Sequence, residues 1–212
     1  MKKKLFIGIV IIITVVALLF AVWRFFGLFI LIMIDNEKAP TKNDIVEFVN
    51  DNSEELQIAV AEIEELKKGY GTGGLDAHID GIGHTDIEDC ADGIKGLYIS
   101  IDDPLGEDTY KEIDSDVLSD IITGNPVRYI YISDDIITFD CGGIGIAPSC
   151  SDYMFYYSEA NEPVAVYYGG EHVCQTWQMH PHKDGYRFID SGGNTFYTEK
   201  IKGNFFWSEA HF

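Results

Sequence analysis

Residues 5–34 contain no acid and one charge, Arg24, and they follow a Lys2-Lys3-Lys4 cluster. About 20 apolar residues in a helix cross the hydrocarbon core of a bilayer, so a run of this length constrains the chain more than any other feature. The sequence predicts a signal-anchor transmembrane helix within residues 1–34, with the lipid bilayer as the partner of residues 5–34. Lysines precede the run and residues 35–38 carry no positive excess after it. That asymmetry predicts a single-pass protein of the cell membrane with a cytoplasmic N-terminus and an extracytoplasmic C-terminal domain. A cleaved signal peptide has a shorter apolar core, about 7–15 residues, ending in a small-residue site that residues 17–21 do not supply. An arginine at the bilayer centre is costly. Trp23 and Arg24 are therefore expected at the outer interface, as aromatic belt and snorkelling cation.

Residues 35–212 suffice for one domain with a proper core, and no Pro/Gly/Ser-rich linker divides them. The chain has a formal net charge of −20, and all 35 of its acids follow residue 34, whereas Lys2, Lys3, Lys4 and Arg24 precede it. Such a surface repels phosphate backbones, which argues against nucleic acid as a partner. It suits a basic protein or envelope partner, and equally it keeps a domain soluble.

The region 41–68 reads as helical. Thr41 is a plausible N-cap with Asp44 as the third residue of a capping box. Ile45, Val49, Leu56, Val60 and Ile63 fall on one stripe, with Glu47, Glu54 and Glu65 opposite and only Ile58 misplaced. The stripe fits one helix, or two joined near residues 50–53. Gly69, preceded by Lys67 and Lys68, suits its end. Residues 69–96 read as a long acidic loop.

Residues 97–212 read as β-rich. Residues 97–101 form an apolar, β-branched run, and 114–122 a short helix. From residue 127 onward, short β-branched and aromatic runs alternate with turn clusters at 134–135, 161–163, 183–185 and 191–194. Connections this short give antiparallel neighbours. The expected fold class is α+β: an N-terminal transmembrane helix, then an amphipathic helix packed on an antiparallel β-meander sheet.

Four cysteines make an even count. Cys141 and Cys150 flank a short glycine-rich segment and are the pair the spacing favours for a disulfide, which leaves Cys90 and Cys174 to pair by default. Free buried thiols are the alternative. Gly142-Gly143-Ile144-Gly145 lacks the Lys-Ser/Thr of a phosphate loop and reads as a bulged strand connection. His180 and His182 with Asp184 are ligand types that zinc accepts, without a recognised metal spacing. His78, His84 and acids up to Asp92 are the corresponding set for a divalent cation such as calcium. No Gly-x-Ser-x-Gly elbow and no Cys/His pair at a family spacing occurs, so an enzyme is not indicated. Most of the tyrosines between residues 129 and 168 are expected in the core and in sheet pairing.

Three segments resemble a group of uncharacterised membrane-anchored envelope proteins of Gram-positive bacteria. They are Cys141-Gly142-Gly143-Ile144-Gly145, Phe155-Tyr156-Tyr157-Ser158 with Pro163, and Phe196-Tyr197-Thr198-Glu199-Lys200-Ile201 ahead of Phe206-Trp207. The resemblance covers roughly the C-terminal half. It implies location and class, and no activity or ligand.

The function expected from these readings is an acidic extracytoplasmic binding or interaction domain displayed by a single-pass membrane protein. A domain that binds or senses a divalent metal, zinc or calcium, is one alternative. A self-protection protein masking a basic toxin is another.

Overall fold

The computed structural model describes residues 18–20, 22–24, 27, 40–70, 77–80, 97–101, 109–124, 126–133, 135–146, 149–167, 172–174 and 178–212. The chain divides into two compact units, Met1–Lys38 and Ala39–Phe212.

The expected membrane span is not supported. Among the described residues no helix is long and apolar enough to cross a membrane. Of the run 5–34, residues 18–20, 22–24 and 27 are described, all helical and exposed, and the rest of that reading lies outside the described residues. The longest described helix, Ser53–Tyr70, has 18 residues but is interrupted by glutamates and lysines. Helices of this kind cannot satisfy the requirement of about 20 consecutive apolar residues. The transmembrane assignment and the extracytoplasmic location are therefore not supported by the described residues, and nothing in them tests the interfacial roles of Trp23 and Arg24.

In the second unit the backbone begins with α1 (Lys42–Asp51). The Thr41 hydroxyl accepts the amide of Asp44 at 3.3 Å, and the Asp44 carboxylate accepts the Thr41 amide at 2.8 Å. This reciprocal pair satisfies two of the donors that a helix start leaves unpaired. Asn52 ends α1, its amide and side chain both donating to Phe48 O. α2 (Ser53–Tyr70) follows at once, with Glu54 and Glu55 in its first turn and Lys67 and Lys68 in its last, as the helix dipole favours. It runs one residue past Gly69. α3 (Asp116–Thr123) is capped by Ser115, whose hydroxyl accepts the Leu118 amide at 3.1 Å.

The remaining elements are strands: β1 (Ala77–Asp80), β2 (Leu97–Ile101), β3 (Thr109–Ile113), β4 (Tyr129–Ile132), β5 (Ile136–Ile146) and β6 (Ser149–Ser158). After them come β7 (Ala165–Val166), β8 (His172–Cys174), β9 (His180–His182), β10 (Gly185–Ile189), β11 (Thr195–Lys202) and β12 (Phe205–His211). Ten of them form one antiparallel sheet in the order β3-β2-β1-β4-β5-β6-β12-β11-β10-β9, and β7 and β8 pair separately. The class is therefore mostly antiparallel β with a few helices, not the membrane-anchored α+β architecture expected. Nor is the sheet a simple meander, because β12 inserts between β6 and β11. Strand β1 lies inside the segment read as a loop, and β3, β9 and β12 were not expected as strands.

Side chains alternate across the sheet with period two, so each strand feeds two cores. Ile45, Val49, Leu56, Val60 and Ile63 of α1 and α2 are all buried against Ile130, Phe139, Phe155 and Trp207 of the sheet. Phe139 and Phe155 stack with centroids 4.6 Å apart. On the opposite face Ile136, Met154, Tyr156 and Phe206 pack under Val164 and Val166. There the Tyr156 hydroxyl accepts the Val164 amide at 2.9 Å and lies 2.8 Å from Thr198 Oγ1, pinning the β7 segment over the sheet.

The expected Cys141–Cys150 disulfide is absent, and both thiols are free. β5 and β6 pair with Gly145 opposite Cys150, and the register shifts between Asp140 and Gly143. Cys141 thus lies about 10 Å or more along the sheet from Cys150 at about 3.3 Å per residue, whereas a disulfide tolerates Cα separations of about 7 Å at most. Cys141 instead fills the helix-side core as a small apolar residue. Cys90 and the side chain of Cys174 lie outside the described residues.

Candidate functional site

The helices leave one part of their apolar surface uncovered. Between α2, the end of β3 and the start of α3 runs a groove of about 650 Å³. Ile58, Ala61, Leu66, Ile113 and Leu118 form its apolar lining, and Glu62, Glu65 and Asp114 its charged rim. Among the described residues no lysine or arginine lines it. Ile58, the residue that broke the helical stripe, is 50% exposed here. Its misplacement is thus the sequence trace of a second apolar face on α2. Ser115 holds the two walls together by donating to Glu62 Oε2 at 2.5 Å while capping α3.

A second polar constellation lies at the far end of the sheet, on the helix-side face. Cross-strand register sets Ser151 of β6 opposite His211 of β12 and Tyr153 opposite Glu209. Ser151 Oγ is 2.6 Å from His211 Nδ1, and His211 Nε2 is 3.2 Å from Glu209 Oε1. Burial, then the Glu209 charge, pushes the Tyr153 phenol above its usual range, and its hydroxyl bonds to both Ser151 and Glu209. Ser151 and His211 lie 60 positions apart in the chain, and no local motif announces the pairing. Pairing of β6 with β12 brings them together.

One strand further on, Tyr197 of β11 donates to Glu199 Oε2 at 3.0 Å, and Glu199 is ion-paired to Lys42 at the start of α1. The Lys42 ammonium sits 4.6 Å from the Trp207 ring centroid, a cation–π contact. Burial and the neighbouring Glu199 push the Tyr197 phenol up to about 12. This cluster fastens α1 to the sheet.

Asp140 is a buried, perturbed acid. Burial drives its carboxyl up to about 6, the Gly142 amide and Arg128 hold it back, and Asp152 adds to the rise. Gly142 stands at φ 81° beneath the Arg128 guanidinium, where a Cβ would lie 2.6 Å from Cζ.

The expected metal residues come together only in part. His180 and His182 are positions i and i+2 of edge strand β9, on one face, with Asp184 in the turn to β10. The His182 ring packs edge-on against Tyr197 at 5.9 Å. Among the described residues no group of three or more His, Cys, Asp or Glu side chains is placed to hold a metal ion. His78 and Asp80 fall on β1, while His84 to Asp92 lie outside the described residues. The glycine-rich segment is a bulged part of β5. No family model, curated protein or solved structure matches the chain.

Proposed function

We propose that the domain is an acidic binding module whose α2–α3 groove takes a basic, amphipathic segment of a protein partner, most simply a helix. The observation that carries this reading is an apolar groove whose charged lining, among the described residues, is all carboxylate: Glu62, Glu65 and Asp114. Apolar anchors at i, i+3 and i+4 of a partner helix would bury against Ile58, Leu66 and Ile113, while its lysines or arginines would face Glu65 and Asp114. The chain's charge of −20 adds long-range attraction for such a partner and repels acidic ones.

The test uses the full-length chain and two synthetic helical peptides of identical apolar face, one with lysines and one with glutamates on the polar face. Calorimetric titration should detect the lysine peptide alone, with affinity falling as salt rises. Ile58→Glu should weaken it tenfold or more without shifting the unfolding midpoint, since Ile58 is half exposed. Equal binding of the glutamate peptide, or an unchanged affinity in I58E, would refute the assignment.

A further inference from the structure

The Ser151–His211–Glu209 constellation is not used by the groove, and its geometry has a direction. With Glu209 accepting the Nε2 proton, His211 Nδ1 is left as a bare acceptor facing the Ser151 hydroxyl at 2.6 Å. A hydroxyl so placed is within proton-transfer reach of a base, and the base is oriented by a third group. The serine is half-buried and the imidazole exposed, so a ligand can approach from solvent.

The surroundings also indicate what would approach. Ile144 is the β5 partner of Ser151 and is 42% exposed. On the other flank Thr195 is opposite His211 and Ile189 opposite Thr195, with Ile189 52% exposed. Two of the large apolar side chains that the described residues leave exposed therefore bracket the pair. An uncharged group of a few carbons suits such a row. A carboxylate-bearing one does not, because Glu209 is adjacent. Tyr153, whose hydroxyl bonds to both Ser151 and Glu209, braces the serine and the carboxylate beside the imidazole.

We propose that Ser151, His211 and Glu209 act as nucleophile, base and orienting carboxylate, accepting an acyl group from a small, uncharged, activated carboxylic ester. Ser151 Oγ attacks the ester carbonyl as its proton passes to His211 Nδ1. The Oγ–C bond forms, the bond from the acyl carbon to the alkoxy or aryloxy oxygen breaks, and the leaving group departs with its electron pair and takes the proton from the imidazolium. Water, deprotonated by the same imidazole, then attacks the acyl carbon and releases the carboxylic acid and the free serine. No oxidant, reductant or further reactant is needed. Glu209 is a positioning residue, fixing the tautomer of His211 and stabilising the imidazolium.

The full-length chain is treated with an alkyl fluorophosphonate, which forms an Oγ–P bond and releases fluoride, and separately with p-nitrophenyl acetate. The expected results are a single phosphonyl adduct mapped to Ser151 by mass spectrometry and a stoichiometric burst of nitrophenolate, both absent in Ser151→Ala. His211→Gln and His211→Asn should each abolish the adduct while retaining the wild-type unfolding midpoint. Glu209→Gln should slow labelling tenfold or more at an unchanged unfolding midpoint, and Glu209→Asp should restore most of the rate, a rescue that mere loss of packing would not produce. Absence of an adduct on the folded wild-type chain, an adduct elsewhere, or unchanged labelling in both His211 variants would overturn the proposal.

Discussion

Replacing Asp140 by asparagine should stabilise the protein at neutral pH, and the size of the gain follows from the site. Asp140 is 4% exposed on the sheet face opposite the helices, and burial is the main cause of the rise in its carboxyl from an ordinary 3.8 to about 6. The native state thus holds the proton more tightly than the unfolded chain does. The group's contribution is fully present below about pH 3.8 and is lost as pH rises through about 6. At about 1.4 kcal/mol per tenfold change in proton affinity, ionised Asp140 costs the fold on the order of 3 kcal/mol above pH 7. Asparagine keeps the shape and can still accept the Gly142 amide, a bond of 3.2 Å in the native protein, but carries no charge. Urea unfolding of wild-type and D140N chains across about pH 4 to 8 should show nearly equal midpoints at the acid end. At pH 8 the variant should be more stable by up to about 3 kcal/mol, roughly 6–12 °C in Tm for a domain of this size. Taking the difference between the two chains cancels the carboxylates not coupled to Asp140, including Asp44 and Asp190, whose shifts run downward. A difference independent of pH, or a variant less stable than wild type at pH 8, would refute the reasoning.

Three further outcomes follow from the packing. Thr138 Oγ1 is buried with no hydrogen-bond partner, so Thr138→Val should raise stability by about 1 kcal/mol or more in the same urea assay. Thr41→Ala removes the cap of α1 and should cost about 1 kcal/mol; NMR titration should also show the Asp44 carboxyl, now held low by Thr41, moving back up. Gly145 stands at φ 113°, and a Cβ there would meet the Ser149 carbonyl oxygen at 2.3 Å, so Gly145→Ala should destabilise by about 1–3 kcal/mol in thermal unfolding.

The limits of the sequence show at particular residues. Strand β12 holds Phe205, Phe206 and Trp207 in succession, a run in which alternation is invisible because both faces of the sheet are covered there. Strand β9 contains a proline that argues against a strand, yet Pro181 is tolerated because, among the described residues, β9 is the last strand of the sheet and pairs on one side only. The groove left a legible trace in Ile58. The serine–histidine–glutamate pairing left none, because it depends on which strand lies beside β6.

Local chemistry alone determined the acidity, the capping of α1 by Thr41 and Asp44, the buried stripe of the helices and most of the strands after residue 127, since these rest on nearest-neighbour hydrogen bonds and on periods of 3.6 and 2. The order of the strands, the second apolar face of α2, the free state of Cys141 and the meeting of Ser151 with His211 were decided only by the tertiary structure. Each is a property of register and of which surfaces are left uncovered, and a one-residue slip or a different neighbour would reverse it. Of the apolar N-terminal run only residues 18–20, 22–24 and 27 are described, and among the described residues no helix is long and apolar enough to cross a membrane.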